Sequence, residues 1–459
     1  MKVLVISANR KLMPDPVYPL GAAYVATICR ENGHSVQTFD CNFKVDLKSN
    51  LTETLQKFQP RVICISLRNV DNTTIARPIS FLPDYEKVVN ICKDVSDAKI
   101  VLGGSGYSLF PQKFYDLLEP DYGVVGNAED TIADLLKGIE QGTVSGKIIY
   151  AGNNHPPKKD IIIDRSLFEL QKYSDLGGLI GVQTQRGCVF KCAYCTYPFL
   201  EGFRLNTRSA TDVVDEFEYL KNTFGTKYFF IVDSVFNHSE KHVKEICREI
   251  INRKLGIKWS AYVRPKFQDP EIFYLMKEAG CKSIELGTDA LAEPTLQSMK
   301  KNFKIDDVLN FCQETKNAGI AFCHSLIFGA PGETEETIET TIKNVRATKP
   351  TAVLAFAGIR ILPQTELAEY CLKSSYLKNE DEITIEPVFY VEPNLKKEWI
   401  LNKLKETANN DRRWIVPGMT TPNIFTQKMM RLMTRNGQLW EFKKYATLGQ
   451  RFRESLVRN

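Results

Sequence analysis

The chain has 459 residues, 43% hydrophobic and 25% charged, a globular composition with room for two or three domains. A net charge of +5 is too small to mark a nucleic-acid binder, and five histidines are too few for a histidine-rich metal site. Twelve cysteines in so ordinary a chain do not form a disulfide framework and fit a reducing cytoplasm; the apolar start at Val3–Ile6 is too short for a signal peptide, and no run reaches the ~20 apolar residues of a membrane span.

The first 150 residues alternate strand and helix signals. Lys2–Ser7 is a β-rich run, and Gly21–Glu31 has helical spacing ended by Gly33. Val36–Phe39 reads as a strand and Leu51–Phe58 as a helix. Arg61–Leu67 and Lys99–Leu102 are β-branched runs of buried type. Tyr122–Val125 is a strand before a helix through Glu129–Glu140. Such alternation predicts a parallel, doubly wound sheet, whose ligands bind at the carboxyl ends of the strands. The stretch 151–174, with Asn153, Asn154, Pro156 and Pro157, reads as a linker. The alternation restarts near Leu179: Leu179–Gln185, Lys227–Val232, Ile257–Val263, Ser283–Gly287, Ile320–Phe328 and Ala352–Arg360. Six βα units are too few for an eight-stranded barrel and predict an open (β/α)6 partial barrel over 175–370. Residues 371–459 form a small, mostly helical region with Trp399, Trp414 and Trp440. Its basic, Met-rich end from Lys428 to Asn459 suits either a packed helix with a solvated face or a segment lying on an anionic surface.

After the first strand of the second domain comes Arg186-Gly-Cys-Val-Phe-Lys-Cys-Ala-Tyr-Cys195. Its C-x3-C-x2-C spacing lets Cys188, Cys192 and Cys195 cap three irons of a cubane, leaving the fourth open to a ligand. The alternative, a zinc knuckle, needs a fourth near ligand, and His238, His242 and Cys247 are over forty residues on. Nine other cysteines, Cys29, Cys41, Cys64, Cys92, Cys247, Cys281, Cys312, Cys323 and Cys371, are scattered, most in apolar segments that suit core filler.

Residues at later strand ends carry further candidates. Tyr194, between two of the cysteines, either packs beside a bound ligand or shields the cluster. Asp233 ends an apolar run, as an acceptor for an ammonium or as a helix N-cap. Ser260 and Arg264 end the next strand; an isolated Arg before Pro is ordinarily a surface residue. Glu285 lies between apolar neighbours and predicts a paired cation, Arg264 or Arg360. Cys323, Tyr262 and His324 are hydrogen-donor candidates better read as core.

Taken in this order, Cys188/Cys192/Cys195, Asp233–Asn237, Arg264-Pro265, Glu285–Asp289, the Gly329–Thr334 turn and Arg360–Thr365 resemble the core of cobalamin-binding radical S-adenosylmethionine (SAM) enzymes. The resemblance implies a 4Fe–4S cluster whose open iron holds SAM, which one-electron reduction cleaves to a 5′-deoxyadenosyl radical. It implies SAM contacts from Tyr194, Asp233, Ser260, Arg264, Glu285 and Leu362. The first domain resembles the same group's cobalamin-binding domain through Pro19–Tyr24, Ile65–Arg68, Val101–Gly106 and Val125–Asp130. Pro19, Gly21, Ser66, Arg68, Gly103, Gly104, Ser105, Gly126 and Glu129 are then the cobalamin contacts. One departure is the absence of Asp-x-His-x-x-Gly, which implies no protein histidine on cobalt. The bland reading is a Rossmann-like scaffold without cobalamin. The expected activity is methylation of an unactivated carbon on a small-molecule or lipid substrate, served by a reductant such as flavodoxin or ferredoxin. The alternatives are a radical SAM enzyme of dehydration, cyclisation, rearrangement or epimerisation, and a non-enzymatic iron–sulfur or zinc protein.

Overall fold

The computed structural model describes residues 1–12, 15–151, 162–267, 269–420, 430 and 437–443, with Asp130 through its backbone alone. Strands β1 (Lys2–Ser7), β2 (Ser35–Asp40), β3 (Val62–Ser66), β4 (Lys99–Gly103), β5 (Tyr122–Val125) and β6 (Ile148–Tyr150) form one parallel sheet in the order β2-β1-β3-β4-β5-β6. Runs such as Val3-Leu-Val-Ile6 are buried on both faces because helices cover both. Val3, Val5, Val62 and Cys64 pack toward helices Leu20–Glu31 and Ile132–Gln141. Leu4, Ile6, Ile63 and Ile65 pack toward Leu47–Phe58 and Leu82–Val95. The strand order reverses between β1 and β3, so the crevice at the carboxyl edge opens there.

The second sheet is also parallel. It contains β7 (Ile180–Val182), then, after the antiparallel pair β8 (Gln185–Arg186) and β9 (Asn206–Thr207), strands β10 (Tyr228–Ile231), β11 (Lys258–Val263), β12 (Cys281–Asp289), β13 (Ala321–Phe328) and β14 (Ala352–Ala357). A second antiparallel pair, β15 (Ile359–Arg360) and β16 (Phe389–Tyr390), follows. The six expected strands are present, and a seventh joins them: β17 (Trp414–Ile415), from the C-terminal region, pairs with β14 through Val353↔Trp414 and Leu354↔Ile415. The C-terminal region, with its helix Lys397–Asn410, is thus woven into the barrel wall.

Alternation sorts the barrel residues. Phe229, Ile231, Trp259, Ala261, Ile284, Leu286 and Phe322 pack outward on helices such as Ala210–Phe224. Their neighbours Tyr228, Phe230, Ser260, Tyr262, Ser283, Glu285 and Cys323 therefore face the lumen, and Tyr262, Glu285 and Cys323 lie in register on adjacent strands. All nine scattered cysteines are buried and unpaired, as fillers. Among the described residues no helix is long and apolar enough to cross a membrane. Of the expected linker 151–174, residues 152–161 lie outside the described residues, while the rest is packed structure with helix Leu170–Asp175 and Phe168, Leu170 and Tyr173 in the core; the basic tail falls largely on 428–429, 431–436 and 444–459, also outside the described residues.

Candidate active site

The cysteine loop leaves β8 through Gly187, whose φ of +91° and position leave no alternative: a Cβ there would lie 1.9 Å from the Arg204 carbonyl oxygen. Three main-chain bonds pin the loop. Cys188 N–H donates to Gly202 O (3.0 Å), Ala193 N–H to Met299 O (3.1 Å), and Leu367 N–H to Ala193 O (2.7 Å). Cys188 is buried, while Cys192 and Cys195 are partly exposed. Burial raises the Cys188 thiol and pushes Cys195 up to about 12. Bound iron would deprotonate them by its own charge, and Lys301 adds positive charge beside Cys195.

Lys301 is 8% exposed in its side chain, and its ammonium is 2.5 Å from Asp289 Oδ2. The Tyr194 hydroxyl donates to the same oxygen. Burial alone would lower the Lys301 ammonium, but Asp289 and the thiolates of Cys192 and Cys195 outweigh it and hold it raised. Tyr194 is therefore a tether between cluster loop and barrel. Nothing in the residue pattern singles out Lys301, one basic residue among many after a short helix. Arg264 stacks on Phe190 of the loop, 4.4 Å from its ring centroid, and Asn237 clamps its main chain through Arg264 N–H (2.8 Å) and O (2.8 Å). No ion pair engages its guanidinium among the described residues, so it stands ready beside Cys188 and Cys192 for an anion. Three thiols on one rim with an uncommitted guanidinium beside them fit a cluster that holds a carboxylate-bearing ligand. No three His, Cys, Asp or Glu side chains close on a single ion position among the described residues. Leu362, at the turn before helix Glu366–Lys373, packs against the same apolar core as Tyr194 and Phe199.

Three strand-end expectations change. Asp233 is fully buried and accepts from Thr184 N–H (2.7 Å), Gln185 N–H (3.1 Å) and the Thr184 hydroxyl. Its lone pairs close β10 onto the segment leading to β8, so it is neither a helix cap nor placed for an ammonium. Burial raises it to about 7 in spite of those bonds. Ser260 is fully buried and receives the Gln438 amide (3.3 Å), leaving no hydroxyl face for a ribose. Among the described residues Glu285 has no cation partner: the Trp440 indole N–H donates to its Oε1 at 2.9 Å, and Arg360 instead pairs with Asp71 at 2.6 Å. Of the zinc candidates, His242 Nε2 lies 2.9 Å from the Thr184 hydroxyl, and Cys247 is core.

At the first sheet's carboxyl edge, the chain gathers Pro19 and Gly21 after β1, Ser66 and Arg68 after β3, Gly103–Ser105 after β4 and Gly126 after β5. Gly104 (φ +95°) lies so close to β3 that a Cβ would sit 2.7 Å from Leu67 O, and nothing lies within 4 Å of a Cβ on Gly21. The Ser105 hydroxyl donates to Arg68 O (2.6 Å). This rim of bare backbone fits a broad flat ligand. The first domain's one described histidine, His34, contacts the N-terminal amine at the opposite edge; His155 lies outside the described residues. Glu129 leaves the set: its carboxylate pairs with Arg186 at 2.6 Å, both side chains under 10% exposed. That bridge joins the two domains two residues from Cys188.

The mouth of the barrel is open beside the cysteine loop: Tyr262 is 40% exposed although it faces the lumen from a central strand, and Tyr197, just after Cys195, is 42% exposed. Tyr262 thus borders the open lumen, while Cys323 and His324 are fully buried. Phe230 meets the Tyr262 ring edge-on at 4.9 Å, and the charge of Arg68 reaches both tyrosines.

Comparison with known proteins agrees with this geometry. Residues 182–345 match the Radical SAM superfamily and residues 9–136 the B12 binding domain. The tryptophan 2-C-methyltransferase of Streptomyces laurentii is 24% identical over 79% of this chain and 73% of its own. An uncharacterized methyltransferase of Pyrococcus horikoshii is 27% identical over 84% and 87%. The radical SAM methyltransferase TsrM from Kitasatospora setae, solved with tryptophan substrate and a SAM analog bound, superimposes with a TM-score of 0.85 at 21% identity, covering 100% of both chains. With a B12-binding domain joined to a radical SAM barrel in one chain, the protein belongs to the cobalamin-binding radical SAM enzymes.

Proposed function

We propose that the protein is a cobalamin-dependent radical SAM methyltransferase that methylates an unactivated carbon of a small-molecule substrate. The observation that carries this reading is the three-thiol loop set beside the glycine rim in one chain, with Arg68 of the rim close to Tyr197, just after Cys195, and to Tyr262 in the barrel lumen. We divide the chain accordingly: 1–150 holds cobalamin, 175–370 holds the cluster and SAM, 151–174 links them, and 371–459 completes the barrel. When bound, the cluster supplies an electron for SAM cleavage and cobalamin carries a methyl group. The chain's own share is binding, orientation and exclusion of water. Cys188, Cys192 and Cys195 hold the cluster, and Lys301 keeps positive charge beside it. Arg264 receives the SAM carboxylate, and Leu362 and Tyr194 shape the apolar side. Pro19, Gly21, Ser66, Arg68, Gly103, Gly104, Ser105 and Gly126 would cradle cobalamin, and His34, at the opposite edge of the sheet, is not among the residues that would hold it. A flavodoxin or ferredoxin delivers the electron.

Anaerobic reconstitution tests the reading. The wild-type chain should retain about one cluster and one cobalamin. Its reduced cobalt should show no nitrogen coupling from a protein imidazole, and turnover should yield S-adenosylhomocysteine. The triple variant Cys188→Ala/Cys192→Ala/Cys195→Ala should lose both iron and SAM cleavage while keeping cobalamin. A full cluster in that variant would overturn the assignment. Products without an added carbon would replace methylation by rearrangement chemistry.

A further inference from the structure

The C-terminal segment Gly437–Lys443 enters the barrel from below. Glu441 is 2% exposed and sits at the amino ends of the strands: its Oε1 accepts from Tyr228 OH (2.6 Å), Ser283 Oγ (2.7 Å) and Gln438 N–H (3.3 Å). Trp440, 5% exposed, packs against Cys323 and Ala352 and points its indole N–H up at Glu285. The segment is therefore a floor, and Glu285 is the first polar group above it.

One Glu285 oxygen is held by the indole; the other has no hydrogen-bond partner among the described residues, on a side chain only 7% exposed. Directly beside it in register, Tyr262 opens to the lumen, and Asp15 from the loop after β1 adds further negative charge to both. Glu285 precedes Asp289 on β12, across a break in register between Leu286 and Asp289, and so lies deeper in the barrel than the residue that tethers the cluster loop. An unpaired carboxylate oxygen beside Tyr262, whose ring Phe230 meets edge-on, solicits a donor carried on a flat or apolar body.

Resting on the methyltransferase reading above, we propose that Glu285, oriented by Trp440, anchors the substrate through a protonated amine, and that the substrate class is an aromatic or apolar amine. Trp440 acts as a positioning residue, because it touches Glu285 and the floor. It fixes which oxygen faces the lumen and keeps the other satisfied.

The test uses holoprotein carrying cluster and cobalamin, with three probes of one shape: 2-phenylethylamine, 3-phenylpropanoate and ethylbenzene. Binding is read by calorimetric titration at pH 8. The amine should bind at least tenfold more tightly than the other two. Glu285→Gln should cost the amine about ten- to a hundredfold while leaving ethylbenzene unchanged. Trp440→Phe keeps an aromatic floor without the N–H, and should lose several-fold of the amine preference with cofactor content intact. Equal binding of all three probes would overturn the proposal, as would an unaltered preference in Glu285→Gln. A loss of SAM affinity in that variant with the amine preference intact would overturn it too, returning the residue to SAM. An unchanged preference in Trp440→Phe would remove Trp440 from it. None of these readouts depends on turnover, so failure of the methyltransferase reading shows separately in the product analysis.

Discussion

Burial holds Asp40 at about 6 and Asp233, Glu285 and Glu333 at about 7, above the usual carboxyl range, and raises Glu201 as well. A folded-state value above the unfolded one means that the native chain holds its proton longer. The contribution to stability is therefore full below pH ~4 and declines as pH rises from there to about 7, where the folded group ionises. Glu285→Gln, a neutral isostere that still accepts the Trp440 indole, should separate this effect. At pH 5 it should melt like the parent; at pH 8 it should be more stable, by roughly 2–4 kcal/mol at most. Calorimetry at the two pH values measures this, and an equal difference at both would show that burial of charge is not the cause. Asp233 shows what the sequence withheld at this scale. A carboxylate ending a strand is legible; that Thr184 and Gln185 come back to fill its lone pairs is decided by the crossover of β8 past β10.

The elements are held together by charged bridges that cross domains. Arg186 starts the cysteine loop, stacks on Tyr24 at 4.9 Å and pairs with Glu129. Arg360 in β15 pairs with Asp71 and donates to the carbonyls of Thr384, Ile385 and Glu386. Removing one partner of such a buried pair strands the other charge, at a cost of about 3–5 kcal/mol, whereas removing both costs less. Glu129→Gln should therefore lower the melting temperature and increase protease nicking between the domains. Arg186→Met/Glu129→Leu should recover more than half of the loss. A single variant that melts like the parent would mean that the bridge adds nothing to the fit of the loop on the first domain.

At the scale of the whole molecule, the C-terminal region is structural. β17 extends the sheet, and Trp440 and Glu441 close its floor. A chain ending at Gln427 loses the acceptor for Tyr228 and Ser283, and uncovers the lumen. It should melt several degrees lower and bind hydrophobic dye before any assay of turnover. Trp440→Ala alone should cost about 3–5 kcal/mol. A truncated chain with the parent's melting profile would return the tail to a purely surface role.

The sequence by itself determined the cluster loop, the glycine rim and the alternation of strands and helices. Each is local: a spacing of cysteines, a turn that admits no Cβ, a run of β-branched residues such as Arg61–Leu67 or Lys99–Leu102. It missed β6 and β17, three and two residues long, because strands that short carry no period of their own and exist through their neighbours. It assigned Glu285 a cation and left Lys301 unnoticed. Which charges meet, which tyrosine opens to the lumen and which end of the chain seals the barrel depend on contacts between residues on different elements, some of them over a hundred positions apart. Glu285 and Trp440 are 155 apart, and only the folded topology brings them within 2.9 Å.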